Sequence, residues 1–303
     1  MENEGIDKKE IEWYNRNDSC EGTAFFQRRM KHISAFPFLK KRSDLMKKGI
    51  YEFMTYFPFL KEIIKRDFKK KYYKSVLGVA WSMLSPLLMM IVITIVFSTL
   101  FRRSIPHYAA YWFSGNMLFS FVFEGSTAAM GSMIVNAGLV KKMRIPNYFF
   151  CISSVTQHFI TMVLSVLPYF IVCLVIGVPM SPLMLLIPLP LILAYFFTSG
   201  LGMLLCAYGT FLRDLSYLYH VLRRVWLYIT PIFYPIDIIP EQFRFLWDLN
   251  PVYVYISIFR SFALNGEMPS EKMLIIGTCY AVLMLALGAV TFKEKEDRFF
   301  LYI

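Results

Sequence analysis

Apolar stretches too long for a soluble core recur through this chain, at about 76–101, 108–135, 148–177, 182–212, 215–234 and 272–292. At a rise of about 1.5 Å per residue, roughly 20 helical residues cross a hydrocarbon core of about 30 Å. Unbroken runs of this kind predict helices, because a transmembrane barrel would show segments of about ten residues with alternating hydrophobicity. Composition points the same way, with 57% hydrophobic and 17% charged residues where soluble domains hold roughly 45–50% and 25%. The expected fold class is an all-α integral membrane protein with six transmembrane helices. A soluble enzyme, a disordered chain and a disulfide scaffold are excluded. The five cysteines are scattered without CxxC or Cys/His ligand spacing and read as free thiols.

The net charge of +11 is unevenly spread, and its distribution argues for lipid rather than nucleic acid as the partner. Residues 1–75 carry 18 of the 32 basic and 11 of the 21 acidic residues, ahead of the first apolar stretch. A basic segment beside a hydrophobic run anchors on anionic headgroups, at about 1 kcal/mol per Lys or Arg. With the N-terminus inside, 25 basic residues fall on the cytoplasmic side, including Lys141, Lys142, Arg144, Arg213, Lys293, Lys295 and Arg298. Five fall outside: Arg102, Arg103, Arg244, Arg260 and Lys272. The positive-inside rule therefore places both ends in the cytoplasm.

The polar start has no signal-peptide core, so residues 1–48 read as a disordered cytoplasmic leader. Residues 49–75 read as a basic amphipathic helix. Pro58 suits its first turn, and Leu60, Ile63, Ile64, Phe68 and Tyr72 recur opposite Lys61, Glu62, Lys65, Arg66, Lys69 and Lys70, the pattern of a helix lying in the membrane interface. Residues 76–303 form the transmembrane domain. At the end of the fifth stretch Pro231 and Pro235 distort or end that span, and in the external segment beyond it Pro240-Glu241 starts one short helix. Asn250-Pro251 caps and opens a second, which runs toward Asn265-Gly266. These two external helices are rich in aromatics. They either dip into the outer interface as anchors or line an exit, and Phe243, Trp247, Tyr253 and Tyr255 are their candidate contact residues.

Catalytic constellations are missing: the sequence has no GxxxxGK[ST] phosphate loop, GxSxG elbow or HExxH, and its four histidines are well separated. His158 reads as packed or cavity-facing rather than as a ligand. A transporter of this kind runs on an ion gradient or on a separate ATPase. Ion-coupled carriers usually carry more intramembrane carboxylates than the single Glu124 in the second stretch, which lowers the gradient reading. Arg213-Asp214 marks the turn into the fifth stretch. Arg223 and Arg224 lie nine and ten residues beyond Asp214, about 14–15 Å along a helix and close to mid-membrane. They point about 100° apart. One can face a cavity or a passing pyrophosphate, and the other can meet a carboxylate such as Glu124; an internal salt bridge, or a span that starts later, is the plainer reading.

Several segments together resemble one family. RDFKKKYYKSVLGVAWSMLSPLLMMIVITIVFSTLFR (66–102), FEGSTAAMGSMIVNAGLVKKMRIPNY (123–148), FLRDLSYLY (211–219), YITPIFYPIDIIPEQF (228–243), LNPVYVYISIFR (249–260) and KEDRFFLYI (295–303) look like the ABC-2 type permeases that export lipid-linked polysaccharides. These are the membrane subunits of O-antigen, capsule-type and teichoic acid ABC exporters. The resemblance implies a non-enzymatic permease subunit of the bacterial plasma membrane, with no cofactor of its own. It also implies a second copy of the chain and two copies of an ABC ATPase that binds ATP and Mg. Lys141, Lys142, Arg144, Ile145 and Pro146 are similar to the helix that docks on that ATPase, and Arg213-Asp214 matches a second loop on the same side. The 240–264 region resembles the pair of helices that gate the exit. The long leader and Arg223-Arg224 depart from the family pattern. A drug or lipid exporter of the same class, or a membrane-embedded glycan or lipid enzyme, is the alternative.

Overall fold

The computed structural model describes residues 45–72, 77–101, 105–142, 145–212, 214–236, 242 and 245–301. The expected disordered leader lies almost wholly outside them. The chain divides into two units, Met1–Met54 and Thr55–Ile303, and the packing below is that of the second. Among the described residues every regular element is helical.

The first helix, α1, runs Leu45–Tyr72 with Pro58 inside it rather than in its first turn. Proline removes one hydrogen bond and crowds the preceding turn, but a helix survives that when the surrounding pattern stays helical. Phe59, Leu60 and Ile63 are buried, while Lys61, Glu62, Lys65, Arg66, Lys69 and Lys70 are exposed. The buried stripe is covered by protein: Phe59 meets Phe150 edge-on at 6.0 Å and Tyr56 meets Phe149 at 5.8 Å. Arg66 Nη2 donates to Asn136 Oδ1 at 2.8 Å.

The bundle follows as α2 Ala80–Phe101, α3 Tyr108–Val135, the short α4 Ala137–Lys142, α5 Tyr148–Ile176, α6 Pro188–Gly209 after a 3-10 turn, α7 Asp214–Ile229, the short α8 Phe245–Asp248, α9 Pro251–Arg260, and α10 Glu271–Lys295. Five helical stretches are long and apolar enough to cross a membrane: Ala80–Phe97, Tyr108–Val135, Tyr148–Ile176, Pro182–Gly209 and Glu271–Lys295. The chain is therefore a multi-pass membrane protein. In lipid no hydrophobic force brings helices together, so close backbone approach at small residues does. A Cβ on Gly288 would collide with the Gly200 carbonyl, and one on Gly200 with the Met284 carbonyl, which makes α6 and α10 a tightly apposed pair. Gly202 of α6 fits in the same way against Ala129 of α3.

Of the six expected spans, the fifth forms a helix that stops just before Pro231, as expected of that proline, and is too short to count among the five. α7 holds 16 residues, about 24 Å, and the chain beyond Ile229 bends through Thr230–Tyr234. It nevertheless runs antiparallel beside α3. Tyr219 and Ser126 hydroxyls lie 2.6 Å apart, Tyr111 Oη donates to the carbonyls of Pro231 (3.1 Å) and Tyr234 (2.9 Å), and Tyr108 Oη donates to that of Phe233 (3.1 Å). Ser126 to Tyr108 is about 27 Å of helix, so helix and bent segment together traverse most of α3. Non-helical backbone at membrane depth persists only where protein satisfies its polar groups, and here tyrosine hydroxyls do so.

Candidate functional site

Three ionisable side chains meet where α3, α5 and α7 face one another. Arg223 Nη2 donates to Glu124 Oε1 at 3.1 Å, and His158 Nδ1 lies 4.0 Å from Glu124 Oε2. The antiparallel register of α3 and α7 brings Glu124 and Arg223 level, one turn from the Ser126–Tyr219 contact. Arg224, one residue on and about 100° round the helix, is exposed. Glu124 and His158 both line a cavity of about 500 Å³ whose wall also includes Lys71 at the end of α1. Charges in an apolar bundle persist when paired or facing a cavity, and Glu124 does both.

At the far end of α3 the bent segment and the two short helices are tied together by side chains. Asn250 caps α9 by accepting from the Val252 and Tyr253 N–H groups at 3.1 and 3.3 Å, accepts from Trp226 Nε1 at 3.0 Å, and donates to Thr230 Oγ1 at 3.0 Å. Trp247 Nε1 donates to the Ile229 carbonyl at 3.1 Å, and Tyr234 Oη donates to those of Tyr228 and Ile229 at 3.0 Å, so the interrupted end of α7 is satisfied. Arg260, counted among the external charges and falling within the expected second outer helix, is buried at the end of α9. It donates to the Pro231 and Tyr111 carbonyls at 3.0 Å and to Ser114 Oγ at 3.4 Å, with its guanidinium 3.5 Å from the Tyr111 ring centroid.

This geometry packs the candidate contact residues of α9 inside the bundle. Tyr255 is fully buried, donates to the Gly277 carbonyl at 3.1 Å and packs against Phe197, so it presents no face to a passing molecule in this chain. Tyr253 is buried as well. Trp247 is half-buried, while Phe243 and the Pro240-Glu241 helix start lie outside the described residues.

At the other end, the 141–147 loop follows α4. Ile145 is buried, Pro146 is half-buried and Lys141 is exposed; Arg144, Arg213 and the Lys142 side chain lie outside the described residues. Asp214, the first residue of α7, is exposed. The Asn147 N–H donates to Glu296 Oε1 at 3.0 Å, Lys295 Nζ sits 3.5 Å from the Tyr208 ring centroid, and Phe299 packs between Phe211 and Phe292. The loop, the end of α6 and the end of α10 thus form one connected surface. The sequence reading missed Glu296, since a charge in a polar tail carries no local signal.

Residues 58–264 match the model of a family described as ABC-2 type transporter, well over half of the 303-residue chain. The chain belongs to the ABC-2 type transporter family. Among its relatives is an O-antigen export system permease protein RfbA of Klebsiella pneumoniae, 29% identical over 248 residues that make up 80% of this chain and 94% of the relative. A protein of the same name from Myxococcus xanthus is 23% identical over 254 residues, covering 82% and 97%.

The family match takes in the Glu124–Arg223 pair, the 141–147 loop and the outer helices of this ABC-2 type chain, and stops before α10. As a transporter membrane subunit, the ABC-2 type chain has no need of a catalytic constellation. What its geometry offers is a cavity of mixed lining, more apolar than polar, beside an ion pair, a braced non-helical segment at one end and a tethered loop at the other.

Proposed function

We propose that this chain is the membrane subunit of an ATP-driven exporter that moves a lipid-linked polysaccharide, O-antigen-like in class, from the cytoplasmic to the outer face of the bacterial plasma membrane. The observation that carries the reading is the near end-to-end match to permeases whose names give O-antigen export. Two copies of the chain enclose the path, since a two-fold dimer is the economical way to build a large opening from one short bundle. Two copies of a separate ABC ATPase bind ATP and Mg and drive it. Both termini face the cytoplasm, in keeping with the excess of Lys and Arg on that side.

Energy coupling runs through the loop of Lys141, Lys142, Arg144, Ile145 and Pro146, with Arg213 and Asp214 as a second contact on the cytoplasmic side. Its tie to Glu296 makes it a stiff element suited to pass on an ATPase movement. Replacing Lys141, Lys142 and Arg144 together with Glu is expected to reduce polymer export at least about tenfold, as several charge contacts are lost and reversed, while the permease still inserts. Surface polymer and co-purification of the ATPase are the readouts. Unchanged export with the ATPase still bound would remove the loop from the coupling path. A changed topology, read by accessibility of an introduced cysteine, would mean that its charges only orient the chain.

Arg223 meets the phosphate groups of the lipid carrier, exchanging Glu124 for phosphate oxygens that fit a guanidinium fork. Arg223→Lys keeps the charge without the fork and Arg223→Gln loses both. Both should impair export, glutamine more, with ATPase binding intact. Normal export by the Arg223→Gln, Arg224→Gln double variant would end this role. Trp247, half-buried, stands at the exit as a ring available to sugar faces.

A further inference from the structure

The cavity beside Glu124 has a lining that the ion pair does not account for. It follows α3 from Phe113 to Glu124, about 16 Å of helix, is bounded by α2 and α5, and opens outward past the exposed Trp81, Ser85 and Met89. Ser85, Asn116 and Ser120 all line it, and none of their side chains hydrogen-bonds to another described residue. Within membrane-spanning helices a polar side chain either finds a protein partner or faces something that supplies one. Two such side chains on α3 and one, the exposed Ser85, across from them on α2, around a volume of about 500 Å³, describe a site for a hydrogen-bonding guest, and ligand pockets commonly enclose about 300–1,000 Å³.

The chemistry of the wall selects the guest. An amide and two hydroxyls both donate and accept, which suits a molecule carrying alternating hydroxyls rather than a bare anion. The nearest guanidinium, Arg223, is held by Glu124 outside the wall, and on the wall the Glu124 carboxylate is offset by the Lys71 ammonium, which donates to Thr161 Oγ1 at 3.5 Å, so the lining carries no net charge that would select an ion. Trp81, half exposed, and Phe113 add ring faces on which the C–H face of a sugar can rest.

We infer that this cavity is a sugar-binding subsite within a single protomer, taking a neutral glycosyl ring of the cargo between Asn116, Ser120 and Ser85. The assignment rests on the glycan-export reading, and its test is a binding measurement independent of export.

The full chain, co-purified with its ATPase, is placed in phospholipid nanodiscs and titrated with radiolabelled dodecyl glucoside, with dodecanol as the probe lacking the sugar. Saturable binding of the glucoside is expected, weakened at least about tenfold in the Asn116→Leu, Ser120→Ala variant by the loss of its hydrogen bonds. A second measurement does not depend on that variant. In a chain carrying Cys20→Ser and Cys279→Ser, the buried Cys151, Cys173 and Cys206 leave a Ser120→Cys thiol as the accessible target of a methanethiosulfonate reagent. Dodecyl glucoside should slow its modification and dodecanol should not. Equal protection by both probes would make the cavity a lipid-tail site, and protection by neither would make it a water pocket; either result overturns the assignment. Glucoside binding in a chain that exports no glycan would overturn the export reading and leave the subsite standing.

Discussion

Gly200→Leu leaves almost no folded protein in the membrane, and Gly288→Leu does the same. At both positions the obstacle is backbone: a Cβ on Gly200 meets the Met284 carbonyl, and one on Gly288 meets the Gly200 carbonyl. A flexible side chain can swing aside, but two helix backbones can only separate. Separation would cost the contact along which α6 and α10 pack most closely. Overpacking a core costs about 1–3 kcal/mol when neighbours can yield, and here none can, so the loss should reach or exceed the top of that range. Total stabilities are only about 5–15 kcal/mol. Even Gly200→Ala should lower the yield, because its single methyl is already the clashing atom. Gly131 supplies the contrast. Nothing lies within 4 Å of a Cβ built there, so Gly131→Ala should leave the yield unchanged or raise it, alanine being favoured over glycine by about 1 kcal/mol in a helix. Fluorescence-detected size exclusion of tagged variants separates these outcomes. A normal monodisperse peak for Gly288→Leu would show that α6 and α10 do not depend on this approach.

That contact also shows where a sequence stops being readable. Long apolar runs announce helices because burying backbone in lipid forces local hydrogen bonding, and α2, α3, α5, α6 and α10 lie where those runs lie. Asn250-Pro251 announces the start of α9 because cap and first turn are local chemistry. The partner of Gly200 is 88 residues away, and nothing local to either glycine names the other. Glu124 and Arg223 are an intermediate case. The cost of an isolated charge in lipid marks each as needing a partner, and the structure supplies the level at which they meet. Pro58 misled because proline is weighed as a breaker, while the turns on either side of it keep a helical pattern. α7 came out short because two prolines follow Thr230, and the tyrosines that make the bent segment tolerable sit on α3, far off in the sequence. Arg260 falls within the expected second outer helix, yet a count of charges by side does not tell that its guanidinium is buried. Its apolar neighbours Ile256, Ile258, Phe259 and Phe262 were the signal that it sits in a packed helix.

Arg260→Met should loosen the outer helices while leaving the rest of the bundle in place. The guanidinium is buried without a carboxylate partner among the described residues, so its charge is offset by two carbonyls, one hydroxyl and the face of Tyr111. Methionine fills the space and avoids the cost of burying a charge, which argues for a small effect. Against that stand three hydrogen bonds to a charged donor, each worth about 1.5–3 kcal/mol, and an aromatic face worth up to about 2 kcal/mol when desolvated. The Pro231 carbonyl retains Tyr111 Oη, at 3.1 Å, as a partner, so part of the loss is recovered. The hydrogen bonds win, by about 3 kcal/mol, and with an unfolding entropy of roughly 2.1 cal/mol/K per residue the chain should melt about 5 °C lower. Arg260→Lys keeps the charge but cannot reach two carbonyls and stack at once, so it should recover less than half of the loss. A cysteine in place of the half-buried Ser257 on α9 should react faster in the methionine variant, whereas one in place of the half-buried Ser154 on α5 should react at an unchanged rate. An unchanged melting temperature with unchanged reactivity at position 257 would mean that apolar packing alone holds α9 against α3, and that the arginine is a passenger in its own pocket.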